Sequence, residues 1–341
     1  MTRWTFRRIL SAATLIVAAL CAGPSRAAAE GPVHARSGFW QNVAHPERSR
    51  SRALLRQATR LIFLSTPPDL GLGPANPRSR VFLERAIHRL EIAHRLSPDD
   101  GEILFTLASA KARWELEDAT GVVHRLDDDA IALFERLRGV DPEYEAQQVA
   151  FELGILRTRS HQFAQAADEY ERAMQLSMDA QETATTCANL AEVTMLAGDL
   201  HAAVTYYERA IELARRAGDN GELAMWGLAV ALDRLGEHPY ALERAREALG
   251  MRGGTTDALR DPGVFFEPAY EIHWYEALGH EAAIASQADD VARLAQRRLA
   301  LLSWRSFLAE GGDSSRWADL ARERAASIET SLEPTTRRRR R

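Results

Sequence analysis

The chain has 341 residues, of which 46% are hydrophobic and 27% charged, and its formal net charge is −5. This acidic balance argues against a nucleic-acid-binding protein, because such proteins need a cationic surface to neutralise phosphates. After residues 1–29, no segment approaches the ~20 apolar residues that span a bilayer. We therefore expect no nucleic-acid partner and no transmembrane segment once the N-terminal segment is removed.

Residues 1–29 have the three regions of a secretory signal peptide. Three arginines make the charged first region, residues 9–22 make the apolar centre, and a run of alanines offers cleavage after Ala29. The pattern predicts export to the periplasm or cell envelope. Removal of this segment also deletes four arginines and no acids, which leaves the mature chain more acidic.

Two other export signals resemble parts of this segment. Cys21 suggests a lipoprotein, but Leu20 stands where lipoproteins carry a small residue. Arg7 and Arg8 resemble a twin-arginine signal, but Phe6 stands where that motif usually has Ser or Thr. Cleavage after Ala29 would leave Cys187 as the sole cysteine, and we expect it to pack inside as a small hydrophobe.

Residues 30–51 are polar and arginine-rich, and they predict a linker. Apolar residues at helical spacing predict a helix over 52–65 and a second over 79–96. Between these helices, residues 66–78 are rich in proline and glycine, which predicts a loop.

A similar pair of helices is predicted around Leu104–Ala108 and Ala130–Leu137. About ten extra residues separate them, around 115–128, and one or two further turns of the first helix would absorb this insertion. No alternating pattern predicts a strand here or elsewhere. We describe 52–145 as two degenerate repeats with inserted loops.

Residues 146–250 contain three tandem copies of one helix–turn–helix unit, with starts at Gln147, Ala184 and Glu222. Matching offsets carry Leu153, Gly154, Phe163, Ala166, Tyr170 and Ala173 in the first copy, Leu190, Ala191, Gly198, Leu200, Ala203, Tyr207 and Ala210 in the second, and Leu228, Ala229, Gly236, Ala241 and Ala248 in the third. The pattern resembles the tetratricopeptide repeat, a helix pair of about 34 residues. The resemblance implies an all-α, right-handed α-solenoid that binds a protein or peptide partner.

After Leu249 the repeat pattern fades. A turn at Asp261-Pro262-Gly263, a short aromatic helix over 268–277 and two long helices over 280–309 and 313–332 are predicted. We interpret 251–332 as a divergent repeat with a helical cap. Residues 333–341 form a basic tail ending in five arginines, for which solvated disorder is the expected state.

No catalytic motif is present, and we expect neither enzyme activity nor a cofactor. His273, Glu276 and His280 share one predicted helical face, as zinc ligands do. Three ligands on one helix seldom close around an ion, and Gly279 would break the helix before His280. We therefore predict no metal site, and packing with hydrogen bonds is the expected role of these residues.

In the tetratricopeptide family, the second, fifth, ninth and twelfth positions of each first helix line a concave face. Carried over to this chain, they are Glu102, Phe105, Ser109 and Ala112, then Gln148, Phe151, Ile155 and Thr158, then Thr185, Ala188, Glu192 and Met195, then Leu223, Trp226, Val230 and Asp233. Lysine is absent from these positions, so a clamp for a peptide carboxylate is not expected. From this set we predict a mostly apolar protein-binding groove made by Phe105, Phe151, Ile155, Glu192, Met195, Trp226, Val230 and Asp233.

Three alternatives stay open at this stage. The aromatic residues of the predicted groove would be unavailable if they packed on the next repeat or under the C-terminal hairpin. The repeats would be a recruiting arm if 251–332 formed a small catalytic or metal-binding module. Self-association would place a second copy in the groove. The interpretation we favour is an exported, non-enzymatic scaffold for protein–protein interaction in the cell envelope.

Overall fold

The structure, a computed structural model, describes residues 46–65, 77–120, 122–261, 264 and 266–332. The predicted signal peptide, most of the predicted linker, most of the loop at 66–78 and the basic tail lie outside the described residues. The chain divides into two compact units, residues 1–149 and 150–341.

The described residues of the first unit form two helix pairs and a short hairpin. Its elements are α1 (Pro46–Ser65), α2 (Pro77–Leu96), α3 (Gly101–Ala112), β1 (Glu115–Glu117), β2 (Val123–Arg125) and α4 (Asp127–Val140). Helix α1 packs on α2, and α3 packs on α4. Apolar residues at helical spacing, including Leu55, Leu90 and Leu107, form the core between α1, α2 and α3.

Two predictions for this unit were wrong. Helix α1 begins at Pro46, so the segment predicted as linker already contributes six residues to a helix. The insertion near 115–128 forms an antiparallel hairpin rather than an extension of α3. The reason is a local turn, in which Asp118 Oδ1 accepts hydrogen bonds from the backbone N–H groups of Thr120 (2.8 Å) and Val122 (3.1 Å).

The second unit stacks helix pairs in series. Helix α5 (Ala146–Arg159) spans the boundary between the units and precedes α6 (Phe163–Leu176). The following pairs are α7 (Ala180–Ala197) with α8 (Leu200–Arg216), α9 (Glu222–Arg234) with α10 (His238–Met251), and α11 (Ile272–Ile284) with α12 (Asp290–Ala309), and α13 (Ala318–Leu332) follows. Short 3₁₀ helices lie at Asp257–Arg260, Ala269–Glu271 and Gly312–Ser314. The fold is all-α, with repeated helix pairs as the sequence predicted.

Glycines let adjacent helices approach closely, both within a pair and between successive pairs. The ring of Tyr170 lies over Gly154, where an added Cβ would stand 2.6 Å from the ring. The ring of Tyr207 lies over Gly227 in the same way, at 2.2 Å. Any larger residue at 154 or 227 would push the helices apart.

The predicted break at Gly279 was wrong. Helix α11 continues through this residue to Ile284, and the chain turns only before α12. Gly279 is needed for packing, because a Cβ there would lie 2.6 Å from Thr256 Cγ2 and 3.0 Å from the Trp226 ring. The carboxylate of Asp289 caps α12 by accepting a hydrogen bond from Ala292 N, which fixes the true start of that helix.

Candidate functional site

The predicted concave positions of α7 and α9 divide into an exposed half and a buried half. Thr185 on α7 and Leu223 near the start of α9 are exposed, and Ala188 and Glu192 on α7 are partly exposed. These four residues are termed the open row; they lie on first helices that contact each other. The remaining four positions are buried, with exposed fractions of 0–1%, and they are Met195, Trp226, Val230 and Asp233.

The predicted groove residues of the earlier helices are also buried. Phe105 packs edge-on against Phe134 and Tyr144 within the first unit, at centroid distances of 5.9 and 6.0 Å. In the second unit, Phe151 packs edge-on against Tyr170 at 6.0 Å, and Ile155 is 8% exposed. These side chains therefore offer no free surface to a partner in this structure.

The buried half in the second unit lies under residues from the end of the chain. Asp233, the twelfth position of α9, is fully buried and accepts four hydrogen bonds. Its Oδ1 accepts from His238 Nδ1 at 2.6 Å and from Arg324 Nη2 and Nε at 2.8 and 3.2 Å, and its Oδ2 accepts from Trp274 Nε1 at 3.1 Å. Packing under the C-terminal helices, one of the alternatives left open by the sequence, is thus the arrangement found here.

His238 connects Asp233 to a second carboxylate. Its Nε2 lies 3.5 Å from Glu281, which also accepts a hydrogen bond from Trp304 Nε1 at 2.7 Å. Burial opposes the charged imidazolium, but the hydrogen bonds to Asp233 and Glu281 outweigh it and raise the pKa of His238 to about 9. His238 is therefore a cation at neutral pH, and its charge balances the buried Asp233 carboxylate.

Arg234 adds a second buried charge beside the first. Its side chain is completely buried, forms an ion pair with Glu271, and lies over the rings of Trp274 (4.6 Å) and Trp317 (5.3 Å). Guanidinium groups between aromatic rings gain cation–π attraction when they are desolvated. Two aromatic rings and one carboxylate contact this arginine, and within the described residues its Nε and Nη1 have no hydrogen-bond partner.

Glu192 is the acidic member of the open row and lacks such compensation. Within the described residues its carboxylate accepts no hydrogen bond. Burial and the charges of Glu271 and Glu267 raise the pKa of Glu192, and the charge of Arg234 lowers it. The net result is a pKa of about 7. A partly exposed carboxylate that destabilises its own charged form is a candidate for binding, because perturbed pKa values concentrate at functional sites.

Of the residues considered as metal ligands from the sequence, two contact each other and the third has a different partner. His273 Nδ1 lies 3.2 Å from Glu276, and its Nε2 lies 3.0 Å from Glu310. His280 contacts Gln296 instead, at 2.9 Å. Among the described residues, no group of three metal-binding side chains converges on one point.

Cys187 is buried, as expected, and its thiol donates a hydrogen bond to the Tyr206 carbonyl at 3.3 Å. Burial raises the pKa of this thiol to about 11, so the reactive thiolate is disfavoured at neutral pH. None of the described helices is both long enough and apolar enough to cross a membrane.

The sequence did not reveal the partners that bury the second half of the groove. Trp274 and Arg324 lie 41 and 91 residues after Asp233. One signal was available: Asp233 and Arg234 end a helix that is otherwise apolar after Leu223, and buried charges require partners. That signal predicts a covering segment but does not identify it.

Comparison with known proteins gives one family match. Residues 182–252 match the family model of the tetratricopeptide repeat, which places the match on α7 to α10. No curated protein sequence matches the chain.

Solved structures with a similar arrangement of helices are distant. MamA (residues 41 to the end) from Desulfovibrio magneticus RS-1 is 14% identical, with 61% of this chain and 97% of that chain covered and a TM-score of 0.47. PilF of Pseudomonas aeruginosa is 15% identical, with 82% and 99% covered and a TM-score of 0.48. A repeat protein from Parabacteroides merdae is 13% identical, with 82% and 99% covered and a TM-score of 0.41. Similarity at this level gives no information on partners.

Proposed function

Because residues 182–252 are tetratricopeptide repeats, we propose that the chain is a non-catalytic scaffold that binds a partner protein at the open row. Repeats of this family hold partner proteins on stacked helices, and function in them comes from the surface they present. The observation that carries the proposal is the accessibility of Thr185, Ala188, Glu192 and Leu223 on two adjacent first helices. The other four concave positions of these helices are buried.

The chemistry of the open row defines the partner. Leu223 is 43% exposed and offers an apolar contact, and Glu192 lies beside Glu267 and Glu271 with one opposing arginine. A cationic side chain of the partner would neutralise Glu192 and relieve the repulsion between these carboxylates. The expected ligand is therefore a peptide segment that carries an apolar residue next to a lysine or arginine.

Site-specific photocrosslinking tests this surface directly. A photoreactive amino acid at position 185 or 223 is expected to form adducts with a partner in envelope extract. The same probe at Tyr240 or Met178, which are 60% and fully exposed on other surfaces, is the matched control. Equal adducts at all four positions would contradict the open row, and adducts at none would contradict the scaffold itself.

Once a partner is captured, Leu223→Asp is expected to weaken its binding by about 10–100-fold. Burial of a leucine contributes ~1.5–3 kcal/mol, and each ~1.4 kcal/mol is a tenfold change in affinity. Calorimetric titration of the purified pair measures the change, with Tyr240→Asp as the control at an exposed site outside the open row. An unchanged affinity for Leu223→Asp would remove this residue from the interface.

We also place the scaffold in the cell envelope, on the strength of residues 1–29. Expression of the full chain in a Gram-negative host is expected to yield a periplasmic protein whose first residue is Glu30, as read by N-terminal mass spectrometry. A protein that keeps residues 1–29 and stays in the cytoplasm would overturn this location. A lipid-modified Cys21 would select the lipoprotein alternative.

A further inference from the structure

Helix α13 is attached to the second unit by a small apolar face. The residues it buries are Ala318, Ala321, Ala325 and Ile328. Three of these four are alanines, which bury far less apolar area than leucine or phenylalanine. By contrast, α9 and α11 bury Trp226 and Trp274. Leu320 and Leu332 add only partly buried contacts to the same core, so apolar burial holds α13 less strongly than it holds α9 and α11.

Polar and aromatic contacts also hold α13, and they connect it to the helices of the repeats. Arg324 binds Asp233 on α9 through two nitrogens, and Arg316 Nη1 donates to the Ala197 carbonyl at the end of α7 (2.9 Å). Trp317 lies against Arg234 on α9. The segment 316–332 thus contacts two successive first helices of the repeats through an arginine, a tryptophan and a second arginine.

The repeat-side charges would keep partners if α13 detached. Asp233 would keep its hydrogen bonds from His238 and Trp274. Arg234 would keep Glu271 and the ring of Trp274. Detachment of a helix normally leaves a buried charge unpaired at large cost, whereas here both charges have a second set of partners.

From this arrangement we infer that the surface formed by Asp233, Arg234 and the end of α7 is a second docking site, which α13 occupies as an internal ligand. The partner it fits is an amphipathic helix with small apolar residues at helical spacing and an arginine that replaces Arg324 on Asp233. The inference rests on the proposed scaffold function and adds a second site to it. Binding there requires displacement of α13.

The test measures whether the site binds a separate peptide that has the sequence of α13. The probe is a fluorescein-labelled peptide of residues 315–332, and the receptors are the full-length wild type and full-length Trp317→Ala/Arg324→Ala. In the wild type, the tethered α13 competes at the high effective concentration of an intramolecular ligand. The double variant weakens that competitor, so anisotropy is expected to show at least tenfold tighter binding of the peptide than for wild type.

Two controls make the result specific. A peptide with Arg324→Ala is expected to lose at least tenfold in affinity for the double variant, since it cannot pair with Asp233. Equal affinity of the two receptors for the unaltered peptide, with matched circular dichroism, would overturn the inference. If the double variant does not fold, hydrogen exchange in the wild type tests the inference instead. The amides of α13 should exchange at least tenfold faster than those of α9. Equal exchange rates would overturn the inference.

Failure of this site is distinguishable from failure of the scaffold function. The crosslinking positions 185 and 223 do not involve α13. Open-row adducts without peptide binding would remove the second site alone.

Discussion

Asp233→Ala is expected to lower the free energy of unfolding by about 3–5 kcal/mol, because it removes one charged group from a buried network of ion pairs. The substitution removes the acceptor of four hydrogen bonds from His238, Trp274 and Arg324. The His238 imidazolium and the Arg324 guanidinium would then lie in a poorly solvated site with less compensating charge. Urea denaturation followed by circular dichroism measures the loss.

Arg324→Ala provides the informative comparison. Asp233 would keep two hydrogen-bond donors and the charge of His238, so we expect a smaller loss of about 1.5–3 kcal/mol, the range for hydrogen bonds to a charged group. Asp319→Ala on the same helix removes an exposed ion pair with Arg322 and should change stability by less than ~0.5 kcal/mol. Similar losses for Asp233→Ala and Arg324→Ala would show that His238 and Trp274 do not support the carboxylate.

A spectroscopic readout separates lost charge pairing from lost packing. In Asp233→Ala the largest hydrogen bond that raises the pKa of His238 is gone, and only Glu281 opposes the effect of burial. The pKa of His238, followed by NMR, should fall from about 9 toward its ordinary value near 6.5. A value that stays near 9 would contradict the assignment of Asp233 as its principal partner.

The sequence predicted the repeats well because their signals are local. Small residues and aromatics at fixed offsets, such as Gly154 with Tyr170, encode contacts within or between adjacent helix pairs. The hairpin at 115–125 was missed because its strands have three residues each, too few for an alternating pattern. Gly279 was misread because glycine signals both a helix break and a close contact, and only the position of Trp226 decides between them.

The family positions identify which residues occupy the concave side of the first helices, but the sequence does not predict which of them are accessible. Family positions place Glu192 and Asp233 on successive first helices. Whether each is free depends on Trp274 and Arg324, whose distance along the chain leaves no periodic signal. Glu192 illustrates the same limit, since nothing in its local sequence shows that Glu267 and Glu271 approach it.

Glu192→Gln is expected to stabilise the protein at pH 8 by about 1–3 kcal/mol while it weakens binding of the partner. The folded pKa of Glu192 is about 7 against an ordinary 4.5. A difference of one pKa unit between the folded and unfolded protein corresponds to ~1.4 kcal/mol, reduced here because the side chain is partly exposed. Since the folded pKa is the higher one, the favourable contribution of the protonated carboxyl is complete below pH 4.5. It is lost as the pH rises through about 7.

Thermal unfolding of wild type and Glu192→Gln between pH 4 and 8 measures this difference. The two curves should coincide near pH 4 and separate above pH 5, with the variant the more stable. Glu208→Gln, at an exposed position on α8, is the control and should follow the wild type throughout. Parallel curves for wild type and Glu192→Gln would mean that the carboxylate is already compensated in the folded protein. The Glu192 carboxylate would thus destabilise the free protein and be stabilised by a cation of the bound partner. This gives Glu192 a role in binding rather than in folding.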